Sequence, residues 1–333
     1  MAQMPALSVV MSVWNDEPFV GQAIDSILAQ DFADFEFLIV DDHSQDRSAS
    51  VIADRAAGDP RIRVLPPGKR GRVAALNRLV GEARAPILAL MDSDDVCRPE
   101  RFTRQLAFLA GNPGHVAVSC ECDKIDAAGN PLVRPPIDRP LSHDGLVANF
   151  EDGPLLNHNA VMIRHAAMEA IGGYRAAYRH AEDYDLWLRL AEVGKLANLP
   201  DTLVSYRIHA RQVSSANLVE QTRNAAIAWL ARCERQAGRP DPTAGLIALP
   251  GLDGLDALFG AGSAAYVRRR IVARCLYAPE ALAGAGWDAL IGHIGDAGPT
   301  SYLWRAAARL LGAGHPVHAA KTAAALVRGR IAA

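Results

Sequence analysis

The sequence has little that would support a disulfide-stapled, membrane-spanning or nucleic-acid-binding protein. Its five cysteines are scattered without metal-type spacing or a disulfide framework, which predicts a reducing compartment. No stretch approaches the roughly 18 consecutive apolar residues of a membrane span, and no basic-then-apolar leader opens the chain. Lys and Arg total 35 against 37 Asp and Glu, so the chain has no overall attraction for nucleic acid. We therefore expect a soluble cytoplasmic protein that binds no nucleic acid.

Glycine is also missing where two common nucleotide-using classes carry it. The first apolar run is followed by Val13-Trp14-Asn15-Asp16. A dinucleotide-dependent oxidoreductase places a G-x-G-x-x-G after such a strand, so that class is excluded. A nucleotidyltransferase that builds sugar nucleotides usually has a glycine-rich loop at the same place. That class is disfavoured, although it stays open as an alternative on a similar sheet.

What the sequence does contain is an alternation of apolar runs with amphipathic stretches, and half of its 333 residues are apolar. This alternation predicts an α/β fold with a mostly parallel central sheet flanked by helices. The predicted strands are 7–13, 35–40, 62–65, 87–91 and 116–120, with a short one at 160–163, and helices are predicted at 20–28, 44–57, 72–83 and 99–111.

Polar clusters follow three of the predicted strands, at 12–16, 41–46 and 92–95. In parallel sheets, ligands bind at the carboxyl ends of the strands. Three crowded carboxylates, Asp92, Asp94 and Asp95, repel one another unless solvent or a divalent cation with oxygen ligands neutralises them. The sequence therefore predicts a ligand site with Mg²⁺ or Mn²⁺ here. The alternative is a turn that caps the next helix.

The composition of the chain changes twice after the first 125 residues. Prolines and turns mark a long connection, after which Glu182 and Asp183 open a helix, where acidic residues are also expected from helix polarity alone. From about residue 219 the chain is rich in Ala, Leu and Arg and carries no chemical motif. We predict a catalytic domain at 1–218, with a nucleotide-binding half at 1–125 and an acceptor half at 126–218, and a helical C-terminal extension at 219–333.

The last helices suggest two further contacts. Basic and apolar residues between Trp304 and Arg330 would suit a helix lying on a membrane surface. A packed helical cap or a homo-oligomer contact is the alternative explanation.

Seven sequence blocks together resemble the inverting family 2 glycosyltransferases of the GT-A fold, over about residues 5 to 215. The blocks are Leu7-Ser-Val-Val-Met-Ser-Val-Trp-Asn15, Ala23-Ile-Asp-Ser-Ile-Leu-Ala-Gln30, Leu38-Ile-Val-Asp-Asp-His-Ser44, Met91-Asp-Ser-Asp-Asp95, Gly172-Gly-Tyr174, Glu182-Asp-Tyr-Asp-Leu-Trp-Leu-Arg189 and Tyr206-Arg-Ile-His209. The resemblance implies transfer of a sugar from a nucleotide-diphosphate donor to an acceptor hydroxyl, with a divalent metal.

The same resemblance implies roles for individual residues. Asp183 would take the proton of the acceptor hydroxyl, and Glu182 would orient it or bind an acceptor hydroxyl. Asp94, Asp92 and His209 would hold Mn²⁺ or Mg²⁺, with Asp95 behind the ligand or capping a helix. The predicted contacts to the donor are Ser12, Trp14, Asn15, Asp42, Arg72, Asp92 and Arg207. From their place in the loop after the first strand, Asn15, Asp16 and Glu17 would make only minor contacts. His158, just before a strand, would lie near the acceptor, with an ordinary structural histidine as the alternative.

The resemblance also implies partners. Asp42 would accept a hydrogen bond from a ring NH of the base, which suits a UDP or dTDP sugar, and Trp14 has the area to stack on that base. The expected acceptor is a saccharide or a lipid-linked saccharide in polysaccharide, lipopolysaccharide or glycolipid assembly. A cytoplasmic enzyme follows, with peripheral contact at the inner face of the cytoplasmic membrane as a further expectation. A non-catalytic sugar-nucleotide-binding protein is the remaining alternative.

Overall fold

The computed structural model describes residues 4–133, 139–209 and 217–331. The chain divides into two compact units, Met1–Ala176 with Glu182–Arg211, and Ala177–Ala181 with Gln212–Ala333. This division falls near the domain boundary that we predict at residue 218. All of the residues predicted to carry chemistry belong to the first unit.

One mixed sheet organises the first unit, with the strand order β3-β2-β1-β4-β7-β6-β8-β5. The strands are β1 Leu7–Val13, β2 Phe35–Asp41, β3 Ile62–Leu65, β4 Ile87–Leu90, β5 Val96–Cys97, β6 His115–Ile125, β7 Met162–Arg164 and β8 Lys195–Arg207. The helices are α1 Val20–Leu28, α2 Ser48–Gly58, α3 Arg72–Glu82, α4 Arg101–Gly111, α5 His143–Asn149, α6 His165–Ala170 and α7 Glu182–Val193.

The first half of this sheet follows directly from the apolar pattern. The strands β3, β2, β1 and β4 are parallel neighbours, and β4 is buried along its whole length. Runs without polar alternation suit strands covered on both faces. Helix α1 places Val20, Ala23, Ile24 and Ile27 in the core, as the spacing of its apolar residues predicts.

The second half of the sheet contains the antiparallel pairs. Strand β7 is antiparallel to β4 and β6, and β5 is antiparallel to β8, whereas the other four pairs are parallel, so the sheet is mostly parallel, as predicted. Strand β8 is absent from the sequence prediction because Pro200 and Asp201 interrupt its apolar pattern. It pairs with β6 through irregular register shifts, which hold a proline and a charge within one long strand.

The second unit is helical in the residues that the structure describes. Its helices are α8 Leu218–Gln236, α9 Leu255–Phe259, α10 Ser263–Cys275, α11 Pro279–Ala283, α12 Trp287–Ala297, α13 Ser301–Gly312 and α14 Pro316–Ile331. Across the described ranges, no helix has the length and apolarity needed to pass through a bilayer. Arg305, Lys321 and Arg328 are exposed, as is Leu311. The membrane contact of these helices stays a prediction, as does a homo-oligomer contact.

Candidate active site

The loops that follow β1 and β2 are braced against each other at the carboxyl edge of the sheet. The Asn15 N–H donates to Ser44 Oγ (2.9 Å), and Asn15 Oδ1 accepts from the Gln45 N–H (2.7 Å). Asn15 has φ 55°, a left-handed conformation that asparagine tolerates better than most residues. The structure therefore uses Asn15 Oδ1 to fix the loop after β2. The donor contact predicted for Asn15 stays a prediction.

Three predicted donor-binding residues lie at the same edge. Trp14 is 54% exposed, so its indole is not part of the core and presents an apolar face beside the strand end. Asp42 is buried, and both its carboxylate oxygens accept the Gly71 N–H, at 3.0 and 2.9 Å. Ser12 is half-buried in β1, opposite Val40 of β2. Their contacts to a nucleotide stay predictions.

The acidic turn after β4 begins with Asp92, which is paired with a cation. Arg72, the first residue of α3, donates from Nη2 to Asp92 Oδ1 at 2.8 Å. His158 Nδ1 lies 3.3 Å from the same oxygen. Burial alone would raise the pKa of Asp92, but the Arg72 guanidinium and His158 together outweigh burial and hold that pKa well below its usual range. Asp92 is therefore an ionised, fixed group.

In the rest of the turn, Asp94 pairs with an imidazole and Asp95 is buried behind it. His209 Nε2 lies 2.9 Å from Asp94 Oδ2. Burial and then the charge of Asp92 raise the pKa of Asp94. Asp95 is fully buried and accepts from the Arg207 N–H (2.7 Å) and from Asn159 Nδ2. This position favours Asp95 as a support behind Asp94 over a helix cap.

A divalent cation fits this donor set. Within the residues that the structure describes, no three carboxylate, imidazole or thiol groups converge on one point. Asp94 and His209 supply one carboxylate and one imidazole, and Mg²⁺ or Mn²⁺ usually takes its other ligands from phosphates and water. Burial, and then the charges of neighbouring carboxylates, raise the pKa values of Asp94 and Asp95, and a bound cation would act against both causes. Because Asp92 is engaged by Arg72, its predicted role as a ligand is the weaker one.

Arg207 is placed differently from the prediction. Its side chain is buried, with 1% of the residue exposed. Nε donates to the Asp94 carbonyl (2.7 Å), Nη2 donates to Gln22 Oε1 (2.6 Å), and Nη1 donates to the Asp126 and Ala127 carbonyls. A guanidinium whose three nitrogens bond to the protein is a clamp on the acidic turn. This arrangement does not fit the contact with the donor that the sequence predicts for Arg207.

Helix α7 brings the predicted base to the acidic turn. Arg72 Nε lies 3.4 Å from Glu182 Oε1, so the guanidinium that holds Asp92 also reaches the residue next to Asp183. Asp183 Oδ1 accepts its neighbour's amide, the Tyr184 N–H (2.7 Å). Burial, and then the like charge of Glu182, raise the pKa of Asp183. A carboxylate with a raised pKa is suited to accept a proton.

The rest of the α7 motif is structural. Asp185 is fully buried and pairs with Arg189 (2.7 Å) and with Arg175. Arg189 also donates to the Ile171 and Gly173 carbonyls, both at 2.8 Å. These bonds tie the first turns of α7 to the turn that precedes it, which fixes where Asp183 stands.

Sequence reasoning gave Asp16 too small a role. Ser93 Oγ, inside the acidic turn, donates to Asp16 Oδ2. Burial raises the pKa of Asp16 from 3.8 to about 6, with contributions from Asp94 and Asp92 against a lowering by Ser93 and His209. The sequence did hold one indication of this role: Asp16 follows β1, and the ends of parallel strands meet at one edge of the sheet.

The raised pKa of Asp16, about 6, predicts that Asp16→Asn stabilises the protein at neutral pH. Keeping this carboxylate ionised above that pKa costs the folded wild type about 3 kcal/mol, and the cost vanishes below the pKa of the unfolded chain. In EDTA, we expect the variant to melt about 6 °C higher than wild type at about pH 7.5, and at the same temperature as wild type at about pH 4. Thermal denaturation across this pH range measures the difference.

Glu17→Gln is the matched control. Hydrogen bonds from Arg47 lower the pKa of Glu17, so its replacement removes no cost and should not raise the melting temperature at neutral pH. A gain for Asp16→Asn that is the same at both pH values would contradict the electrostatic explanation.

The mixed sheet, with its acidic turn and facing helix α7, defines an α/β enzyme of the GT-A type. Residues 8–172 match the sequence profile of glycosyl transferase family 2. The chain belongs to this family and is a glycosyltransferase.

Relatives and solved structures agree with this assignment. An uncharacterized glycosyltransferase of Haemophilus influenzae is 28% identical, with 68% of this chain and 72% of that protein covered. The amylovoran biosynthesis glycosyltransferase AmsE of Erwinia amylovora is 29% identical, covering 62% of this chain and 78% of AmsE. The mannosyltransferase PcManGT of Pyrobaculum calidifontis, solved with GDP-Man and Mn²⁺, shares the fold at a TM-score of 0.56 and 18% identity, covering 99% of this chain and 87% of PcManGT.

Proposed function

We propose that this glycosyltransferase moves a sugar from a nucleoside diphosphate donor to an acceptor hydroxyl by a single inverting displacement. The observation that carries the proposal is the position of Arg72, whose guanidinium contacts Asp92 at 2.8 Å and Glu182 at 3.4 Å. This one guanidinium thereby joins the turn predicted to hold the donor to the helix that bears Asp183. The two halves of the reaction can meet at one place.

The donor is assigned to the carboxyl edge of β1, β2 and β4. Trp14 offers an exposed ring for stacking on the base, and Asp92 is an ionised acceptor suited to ribose hydroxyls. Arg72 is 44% exposed at its side chain and can also contact a diphosphate oxygen. Asp42 would accept from the base, which favours UDP or dTDP, whereas PcManGT was solved with GDP-Man.

Asp94 and His209 are assigned to a divalent cation, Mn²⁺ or Mg²⁺. When bound, such an ion neutralises the negative charge that develops on the leaving diphosphate. Asp16 and Asp95 surround this pair and add to the negative potential that attracts a cation.

Asp183 is assigned as the general base. An inverting transfer needs one base to take the proton of the attacking hydroxyl, and no carboxylate nucleophile on the other face. Asp183 is half-buried, and desolvation there, followed by the charge of Glu182, holds its pKa in the direction that suits this task. The acceptor is proposed to be a saccharide or lipid-linked saccharide in surface polysaccharide or glycolipid assembly, as the name of AmsE suggests.

A thermal-shift screen tests the proposed donor class. We expect one of UDP-, dTDP- or GDP-linked sugars, with Mn²⁺, to stabilise the protein because a ligand of the folded state shifts unfolding by mass action. At about 100 times the dissociation constant the gain is about 2.7 kcal/mol, or about 5 °C. Trp14→Ala should reduce the shift without lowering the melting temperature of the free protein. Absence of a shift with every sugar nucleotide would remove the proposal.

A further inference from the structure

His158 occupies the space between the acidic turn and the base helix. Only 9% of its side chain is exposed, and it begins a short 3-10 turn, His158–Ala160, that leads into β7. Its Nδ1 lies 3.2 Å from Arg72 Nη2 and 3.3 Å from Asp92 Oδ1. Its Nε2 lies 2.9 Å from the Tyr174 hydroxyl. Both ring nitrogens are therefore committed, one to each side of the site.

The Tyr174 end of this contact is fixed by α3, the helix that begins with Arg72. Asn77 of α3 accepts the Tyr174 N–H (2.9 Å) and donates to the Tyr174 carbonyl (2.8 Å). Gly173 permits this approach, because it has φ +70° and a Cβ there would lie 2.6 Å from Asn77 Oδ1. The buried phenol is thus held by the same element that presents Arg72.

The hydrogen-bonding chemistry of the three groups restricts what His158 Nδ1 can do. A guanidinium can only donate and a carboxylate can only accept. Arg72 Nη2 carries two hydrogens, so it can donate both to Asp92 Oδ1 and to a bare His158 Nδ1. In that arrangement the ring proton is on Nε2 and is donated to the Tyr174 hydroxyl. It satisfies the Arg72 and Tyr174 contacts together, whereas a proton on Nδ1 would serve the Asp92 contact (3.3 Å) at the expense of the Arg72 contact (3.2 Å).

We propose that His158, backed by Tyr174, is a positioning residue that holds the Arg72 guanidinium and the Asp92 carboxylate in the orientation that the donor meets. The inference rests on the proposed function, since Arg72 and Asp92 are its donor contacts. Without the imidazole, Arg72 keeps a hydrogen-bond partner on Asp92 but loses the second contact that fixes its plane. The Trp187 ring, with its centroid 6.3 Å from that of His158, supports the imidazole from the side of α7.

Substitutions of His158 by side chains of similar geometry distinguish a positioning role from a role in folding alone. In His158→Asn the carboxamide oxygen can stand where Nδ1 stands and accept from Arg72, although the side chain cannot reach Tyr174. In His158→Gln the carboxamide reaches toward Tyr174 but leaves Arg72 without its acceptor. His158→Ala removes both contacts, and Tyr174→Phe removes only the hydroxyl. His165→Ala is the control, because His165 contacts the Ala85 carbonyl (3.1 Å) in the same unit and neither Arg72 nor Asp92.

The experiment measures binding of UDP, dTDP and GDP by titration calorimetry, with donor KM, kcat and melting temperature for each variant. Loss of a hydrogen bond to a charged group should weaken nucleotide binding and raise donor KM by about 10-fold or more in His158→Ala and His158→Gln. His158→Asn should stay within about 3-fold of wild type, and Tyr174→Phe should lose about 3-fold. His165→Ala should change only the melting temperature.

Two results would overturn the inference. One is nucleotide binding by His158→Ala that equals the wild type, and the other is an equal loss for the Asn and Ala variants. A wild type that binds none of the three nucleotides overturns the proposed function and this inference together, so the two failures are distinguishable.

Discussion

Replacing Asp183 with asparagine should reduce glycosyl transfer by about 10²–10⁴-fold, the usual contribution of a positioned general base. Asparagine keeps the size of the side chain and an oxygen that accepts the Tyr184 N–H, so α7 should still begin at the same place. It cannot take a proton from the acceptor. Nucleotide binding should stay within about 3-fold of wild type, because the donor contacts lie on β1, β2 and β4.

The pH profile gives a second readout of the same residue. The base must be ionised, and burial together with Glu182 raises the pKa of Asp183. Transfer should therefore be lost, as pH falls, at a higher pH than an ordinary carboxylate would give. In Asp183→Asn the residual rate should lack this acid limb.

Asp144→Asn is the control for Asp183. Asp144 also lies in the first turn of a helix, α5, but it is exposed and far in sequence from the acidic turn. It should leave both transfer and nucleotide binding unchanged. Transfer by Asp183→Asn at the wild-type rate, with sugar moved to the same acceptor, would assign the proton to another group.

The part of the fold that could be predicted is the part in which local pattern and burial agree. Strands β1 and β2 are mostly apolar and β4 is wholly apolar because both faces of the sheet are covered, and the acidic residues begin where β4 leaves the core. The edge that carries Asp42, Asp92 and Asp94 follows from that pattern. The resemblance then assigned roles that spacing alone could not supply.

Strand β8 is an element that the local sequence pattern does not predict. Its residues Lys195–Arg207 contain a proline and an aspartate, and they become a strand only because β6 lies beside them through a set of register shifts. Such pairing joins segments about 80 residues apart, and propensity within β8 carries no sign of it.

The contacts of several side chains at the site could not be predicted for a related reason. A sequence shows that Arg207 is a cation near the acidic turn, but not that its guanidinium is buried and bonded to carbonyls from residues 94, 126 and 127. Likewise Asn15 has the right place for a ligand contact, and the structure uses its carboxamide oxygen to hold the next loop. Asp16 was undervalued because its partner Ser93 lies 77 residues along the chain.

Removal of the proposed cation, or of its carboxylate, should have the second largest effect on the enzyme. Asp94→Asn, and EDTA added to the wild type, should each lower transfer by about 10²–10³-fold, since a bound divalent ion supplies several kcal/mol against charge on the leaving diphosphate. Manganese binding gives a readout independent of activity. The free-Mn²⁺ electron paramagnetic resonance signal should fall when wild type and nucleotide are added, and should recover in Asp94→Asn.

Unfolding cannot explain this expected loss. The pKa of Asp94 is raised by burial and by Asp92, so the ionised carboxylate costs the folded protein stability at neutral pH. The cost is absent below its unfolded pKa and present above its folded pKa. In EDTA at neutral pH, Asp94→Asn should therefore melt no lower than wild type.

Asp92→Asn separates the two roles predicted for Asp92. Its Oδ1 is held by Arg72, so this variant should free Arg72 and weaken nucleotide binding by about 10-fold, as expected for a lost charged hydrogen bond. Manganese should still bind beside Asp94 and His209, because their 2.9 Å pairing does not involve Asp92. If Asp92→Asn abolished manganese binding as completely as Asp94→Asn, Asp92 would be a ligand after all, and Arg72 would have to release it when the cation enters.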